Sequence, residues 1–226
     1  HNLFTLDEHG AVTRIPSEAA EGAYVMVPDT LPGPRGREAE IDLVDLLDET
    51  EDLVVYASDG VGTVDWSGMN HTLRRHYDMK NSAPMARVRR PSIPDSVSVA
   101  FKQSSFKLPR HLSVTPAFGW VLGFYVAEGD ARRKQVVFTN NDDELLERVA
   151  SFFERFDTAL SWNRDPDGAS QLTVCSALWS VVFRAIAKPG SEKTIPDRAF
   201  NWEDSVLEEL YEGLLEGDGH RRGDRE

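Results

Sequence analysis

Two stretches of this sequence end a glycine-spaced apolar run on a carboxylate followed by a glycine. They are Val121-Leu-Gly-Phe-Tyr-Val-Ala-Glu-Gly129 and Tyr211-Glu-Gly-Leu-Leu-Glu-Gly-Asp-Gly219. Aligned, Gly123 falls on Gly213, Ala127 on Gly217, Glu128 on Asp218 and Gly129 on Gly219. In a helix Gly119, Gly123 and Ala127 stand at i, i+4 and i+8 and line one face, as do Gly213 and Gly217. Glycine inside a helix costs about 1 kcal/mol relative to alanine, a cost that close approach of a second backbone can offset. Packed side by side, two such helices would bring Glu128 and Asp218 to one edge. Both acids would then sit at helix C-termini, where the dipole is already negative, and each would repel the other. A divalent cation relieves both effects. Carboxylate oxygens suit Mg2+, which keeps waters and shares phosphate oxygens, and the chemistry such a metal supports includes phosphodiester hydrolysis.

The elements that must position these acids fall into three segments. Residues 1–36 read as short strands: Leu3, Phe4 and Leu6, the turn Asp7-Glu-His-Gly10, Val12 and Ile15, then Tyr24–Val27 and a breaker-rich linker. Residues 37–110 suggest a short helix at Ile41–Leu47 and a strand at Leu53–Tyr56. Short helices and extended pieces follow, interrupted by Pro84, Pro91, Pro94 and Pro109. Residues 111–226 are patterned best. Thr115 caps and Pro116 opens a helix to about Gly129, and Gln135–Thr139 is a strand. Asn141 with Glu144 makes a capping box for a helix whose stripe is Leu145, Leu146, Val149, Phe152, Phe153 and Phe156. Strands at Thr158–Trp162 and Gln171–Cys175, a helix at Ala177–Ala187 and a last helix from Asp204 to about Gly217 complete an α+β arrangement.

The formal net charge is -13, which by itself opposes nucleic-acid binding. The charges segregate, however. Arg87, Arg89, Arg90, Arg132, Arg133 and Lys134 stand apart from acid-rich Glu38–Asp52, Asp142–Glu147 and Glu203–Glu212. The acid-rich, lysine-poor balance also fits a protein of a halophilic archaeon; full folding and activity in low salt would count against that. The single cysteine, Cys175, lies in an apolar run and reads as a core residue, and no disulfide framework or cysteine zinc site can form. No apolar run is long enough for a membrane helix, and nothing after His1 reads as a signal peptide. A soluble cytoplasmic protein without an organic cofactor is expected.

The paired stretches resemble the two dodecapeptide motifs of the LAGLIDADG homing endonucleases. The resemblance implies an αββαββα half followed by the first helix of a second half, a monomeric pseudo-dimer when complete. Its sheets form a saddle in the major groove of double-stranded DNA. Glu128 and Asp218 would be the catalytic, Mg2+-binding acids; Glu in place of Asp at 128 occurs in the intein branch. Lys193-Thr-Ile-Pro196 resembles the family's Lys-x-x-Pro block, which gives Lys193 a role in stabilising phosphate charge or activating water. DNA contacts would come from Arg132, Arg133, Lys134 and Gln135 and from Arg87, Arg89 and Arg90.

His1-Asn-Leu-Phe-Thr-Leu and Glu18–Pro28 are similar to the middle of an intein splicing (Hint) domain, a partial all-β segment, with Ala23 where an acid is usual. His1 would then polarise the scissile amide upstream of the segment. The partners would be double-stranded DNA and the exteins of a host protein. Splicing nucleophiles and a second saddle half lie outside the sequence, so residues 1–226 alone are expected neither to splice nor to cut DNA efficiently. One alternative is a non-catalytic DNA-binding protein on the same scaffold, which retention of both acids disfavours. A second is that the function belongs to a host such as an archaeal DNA polymerase, whose inteins carry a segment similar to Ile41-Asp-Leu-Val-Asp-Leu-Leu47.

Overall fold

The structure, a computed structural model, describes residues 2–6, 12–16, 38–47, 52–78, 80–165 and 168–218. The chain falls into two units, His1–Arg35 and Gly36–Glu226. In the first, β1 (Asn2–Leu6) pairs antiparallel with β2 (Val12–Pro16), Phe4 opposite Arg14. The strands expected around Leu3 and Val12 form a hairpin; Tyr24–Val27, His1 and Glu18–Pro28 lie outside the described residues.

The second unit begins with β3 (Glu40–Asp42), α1 (Leu43–Leu46), β4 (Leu53–Tyr56), α2 (His71–Arg74), β5 (Ser82–Pro84), β6 (Ser98–Phe101), β7 (Leu108–Pro109) and β8 (His111–Ser113). The apolar run 41–47 is thus strand and then one helical turn. Asp42 divides them, because its carboxylate accepts from the Val44 amide at 2.9 Å and starts the turn. Sheet order is β5-β4-β6-β7, with β3 paired to β8. Arg110 ties the two sheets: its guanidinium donates to Asp42 at 2.6 and 2.9 Å and to the Ile93 carbonyl at 2.6 Å.

After β8 come α3 (Pro116–Glu128), β9 (Gly129–Arg132), β10 (Gln135–Asn140), α4 (Asp143–Glu154), β11 (Leu160–Asn163), β12 (Ser170–Val174), α5 (Ala177–Ala187) and α6 (Asp204–Asp218). Residues 116–187 therefore run αββαββα, and α6 is a further helix. The sheet order is β11-β12-β10-β9, antiparallel throughout. Thr115 Oγ1 accepts from the Phe118 amide at 3.2 Å, as the Thr-Pro start requires. Residues 118–125 of α3 are buried all round, the pattern of a helix with neighbours on every side.

Three local readings are corrected. The cap of α4 is Asp142, whose carboxylate accepts from Glu144 N–H at 2.9 Å, and not Asn141. The Asn140 side chain accepts from the Asp142 amide at 2.8 Å and carries the turn one residue further. β9 was not legible as a strand, because Gly129-Asp-Ala-Arg132 carries no β-branched or aromatic residue. Tertiary pairing with β10 makes it one, Ala131 opposite Val136. Cys175 is exposed, not core: alternation buries Ser170, Leu172 and Val174 against the helices and turns Gln171, Thr173 and Cys175 outward.

The core gathers around Phe138 on β10. Its ring lies 6.1 Å from Phe124, 6.4 Å from Tyr125, 6.1 Å from Phe153 and 6.5 Å from Phe183. Helices α3, α4 and α5 thus converge on one face of the sheet. Full burial of each such ring contributes roughly 1.5–3 kcal/mol. The stripe expected on α4 is the one buried: Leu146, Val149, Phe152 and Phe153, flanked by Leu145 and Phe156.

Candidate functional site

The glycine ridges of α3 and α6 face each other across the tightest helix contact in the unit. A Cβ built on Gly119 would lie 2.5 Å from the Val206 carbonyl oxygen. One on Gly123 would collide with the Leu210 carbonyl and lie 2.9 Å from the Leu214 nitrogen. One on Gly213 would collide with the Trp120 carbonyl and lie 3.0 Å from the Phe124 nitrogen. Backbone meets backbone, so no side chain larger than hydrogen fits at these positions. At the far end, a Cβ on Gly217 would meet Ala127 Cβ and lie 3.3 Å from Glu128 Cγ. The last turns of the two helices, and with them the sequence positions of Glu128 and Asp218, therefore adjoin. Glu128 is half-buried as the last residue of α3. The backbone of Asp218 closes α6, and its carboxylate lies outside the described atoms.

Lys193 reaches this edge from the loop after α5. Its ammonium donates to the carbonyls of Gly129 at 2.7 Å, Tyr125 at 3.2 Å and Ala127 at 3.3 Å. Those are carbonyls of the last turn of α3 and the one beyond it; that of Tyr125 also accepts from the Gly129 amide, while that of Ala127 lies past the last intrahelical donor. A cation there offsets the negative helix end and stands within one residue of Glu128 on both sides. Its sequence neighbours gave no sign of this capping role, since the partners lie more than sixty positions away.

Two further sets of contacts hold the edge in place. Trp120 Nε1 donates to Glu216 at 2.7 Å; Arg148, with its guanidinium 4.0 Å above the Trp120 ring, binds Glu209 at 2.5 Å and Glu216 at 3.5 Å. Acids of α6 are thus clamped to α3 and α4. Tyr125 donates its hydroxyl to the Lys188 carbonyl at 2.8 Å. Burial, reinforced by the charge of Asp130, pushes that phenol up to about 12.

The basic residues anticipated from sequence divide into two places. Arg132 ends β9, Arg133 and Lys134 form the exposed turn, and Gln135 opens β10, so these four share one end of the sheet. Arg132 is paired with Asp130 at 2.9 Å. Arg87, Arg89 and Arg90 lie on turns after β5. Arg87 donates to the Ser67 carbonyl at 2.8 Å, Arg90 pairs with Asp45 at 3.3 Å, and Arg89 is exposed. His1 lies outside the described residues. Among the described residues no group of three or more His, Cys, Asp or Glu forms a ready-made metal cage, and no helix is long and apolar enough to cross a membrane. The sequence sets an acid, Glu128 and Asp218, at each of the two adjoining helix ends, a residue type whose oxygens suit a hard cation that keeps much of its water.

A helix pair packed through glycines, each ending on an acid and the first followed by ββαββα, defines the class. Residues 115–177 match the family model of the LAGLIDADG-like domain, and the chain carries such a domain on an α+β LAGLIDADG fold. Among individual proteins it is similar to the DNA polymerase II large subunit of Thermococcus kodakarensis, with 23% identity over 97% of this chain and 13% of that one. It is also similar to the DNA-directed RNA polymerase subunit Rpo1C of Methanocaldococcus jannaschii, with 21% identity over 56% of this chain and 15% of the relative. A DNA polymerase of Thermococcus sp. strain GE8 is 25% identical over 51% of this chain and 7% of its own length. The chain thus spans less than a sixth of each of these relatives.

Proposed function

We propose that this chain is the endonuclease-bearing part of an intein: a LAGLIDADG homing endonuclease that hydrolyses double-stranded DNA, lodged in a host polymerase. The observation that carries the catalytic part is the backbone contact between α3 and α6, which makes the ends bearing Glu128 and Asp218 neighbours. Those two carboxylates would hold Mg2+, which when bound supplies charge stabilisation at a scissile phosphate. Glu128 contributes a half-buried oxygen donor beside it. Lys193 holds the carbonyls on either side of Glu128 and adds positive charge where phosphate would lie. The outer face of β11-β12-β10-β9 is the surface offered to the major groove, with Arg132, Arg133 and Lys134 at its end toward phosphates. Arg87, Arg89 and Arg90 add backbone contacts.

The intein placement rests on the relatives. Two DNA polymerases and an RNA polymerase subunit share only small portions with this chain, as a common insert in different hosts would. The antiparallel hairpin β1–β2 supports a Hint assignment for residues 1–36, with His1 as the histidine that polarises the upstream amide.

The test uses duplexes retained by the protein, incubated with Mg2+ or with a chelator. Residues 1–226 alone are expected to cut slowly and only with the metal, and E128Q and D218N are each expected to slow that hydrolysis further by at least about a hundredfold, the scale lost with one electrostatic group of a hydrolytic site. Cutting by either variant at the unsubstituted rate overturns the assignment.

A further inference from the structure

The outer face of the four-stranded sheet carries three side-chain amides, and the strand register fixes where they stand. Asn163 is opposite Gln171, and Gln171 is opposite Thr139, giving one row across β11, β12 and β10. Gln135 is opposite Arg132 at the other end of β10. Asn163 is exposed, and Gln171 and Gln135 are half-buried. Among the described residues, no protein hydrogen bond engages any of the three amides. The row between the two ends holds Ser161, Thr173, Val137 and Asp130, the last of these engaged by Arg132. Val137 is only 2% exposed yet stands apart from the core cluster, so it is the floor of this face. Serine and threonine are too short to bridge a base edge as an amide does.

We infer that this face reads adenine at two places about four base pairs apart. An amide presents one donor and one acceptor, the complement of adenine N7 and N6–H2 in the major groove, and no other base offers that pair there. Residues 135 and 139 are four positions apart on one strand. At about 3.4 Å per residue that is roughly 14 Å, or about four base-pair steps of 3.4 Å. Asn163 with Gln171 serves one place and Gln135 the other. Arg132, whose Nε donates to Asp130 at 2.9 Å, stands opposite Gln135 and has two terminal nitrogens besides, a pair suited to a guanine next to the second adenine. The inference rests on the DNA-binding reading above and adds base identity and spacing to it.

The experiment is selection from a random-sequence duplex pool by the 226-residue chain, repeated with the N163A/Q171A double variant and with Q135A. All three positions are on the solvent side of the sheet, and thermal unfolding of each variant checks that it folds. The expected result is a retained consensus with adenines at two places about four base pairs apart. N163A/Q171A is expected to lose discrimination at one and Q135A at the other, each by about five- to a hundredfold. A retained consensus without the paired adenines, or one that the variants leave unchanged, overturns the inference while leaving DNA binding intact. Retention of no duplex above the starting pool overturns the DNA-binding reading itself and the inference with it.

Discussion

Replacing Gly123 by alanine is the sharpest probe of the helix pair on which the site depends. Two effects oppose each other. Alanine in place of glycine at a helix interior gains about 1 kcal/mol in propensity. Against that, the new methyl would collide with the Leu210 carbonyl and lie 2.9 Å from the Leu210 carbon and the Leu214 nitrogen. Ordinary carbon contacts begin near 3.5 Å, so the shortfall is about 0.6 Å at the least severe of these atoms. All of them are backbone, which cannot rotate away, and only separation of α3 from α6 relieves the clash. Overpacking of this kind costs roughly 1–3 kcal/mol, and separation also forfeits dispersion contacts along both ridges. The net expectation for G123A is a loss of about 1–2 kcal/mol, read as a fall in Tm of roughly 2–8 °C for a domain of this size. G213A should behave alike, since its methyl would meet the Trp120 carbonyl from the other side. The double variant should cost clearly less than the sum, because one separation relieves both collisions. Urea unfolding followed by far-ultraviolet circular dichroism measures all three. Should G123A come out more stable than the parent by about the propensity gain, the backbones do not touch and the site loses its basis.

Removing the Lys193 ammonium takes one donor from each of three carbonyls, of which that of Tyr125 keeps the Gly129 amide; K193A should lose roughly 1–3 kcal/mol, with faster amide exchange at the end of α3, and unchanged exchange there would refute the capping role. Thr158 accepts from the buried Trp179 Nε1 at 3.1 Å, so the near-isosteric T158V should destabilise by about 1–3 kcal/mol in chemical unfolding; a neutral result would refute that bond. Burial raises the Asp42 carboxyl, but the hydrogen bond from Arg110, the Val44 amide and the Arg110 charge outweigh it and hold the group below the usual carboxylate range. The folded state therefore favours the ionised form, so its contribution is present at neutral pH and lost as pH falls through that lowered value; stability–pH curves should show D42N losing less on acidification than the parent. Tyr125 is the reverse: with its phenol at about 12 against an ordinary 10.0, its contribution is whole below pH 10 and disappears as pH climbs toward 12, and Y125F should keep more of its stability across that interval.

Where a feature depends on neighbours within one or two turns of chain, the residues announced it. Thr115-Pro116 opened α3, the 3.6-residue stripe of Leu146, Val149, Phe152 and Phe153 set the buried face of α4, and Ala177–Ala187 became α5 with the bounds expected. The repeated glycine spacing went further and signalled a close helix contact, because interior glycine is unfavourable unless something must approach it. Even the near miss at α4 was local: the cap read at Asn141 falls on the next residue, Asp142, and side-chain hydrogen bonds of Asn140 and Asp142 set that start.

Contacts across long stretches of sequence were decided only by the folded chain. β9 has no strand propensity of its own and exists through its ladder to β10. Cys175 follows an apolar run yet points outward, because pairing with the neighbouring strands fixes which parity of β12 faces the helices. Lys193 on the α3 carbonyls, and Arg148 between Trp120, Glu209 and Glu216, join groups separated by tens of residues. Nothing in local composition distinguishes such side chains from solvated surface charges. The sequence by itself thus determined that two acid-ended glycine helices exist. Only tertiary packing decided that they lie backbone to backbone, which cation caps them, and which side chains the sheet turns outward, because those outcomes depend on distances that no one-dimensional pattern encodes.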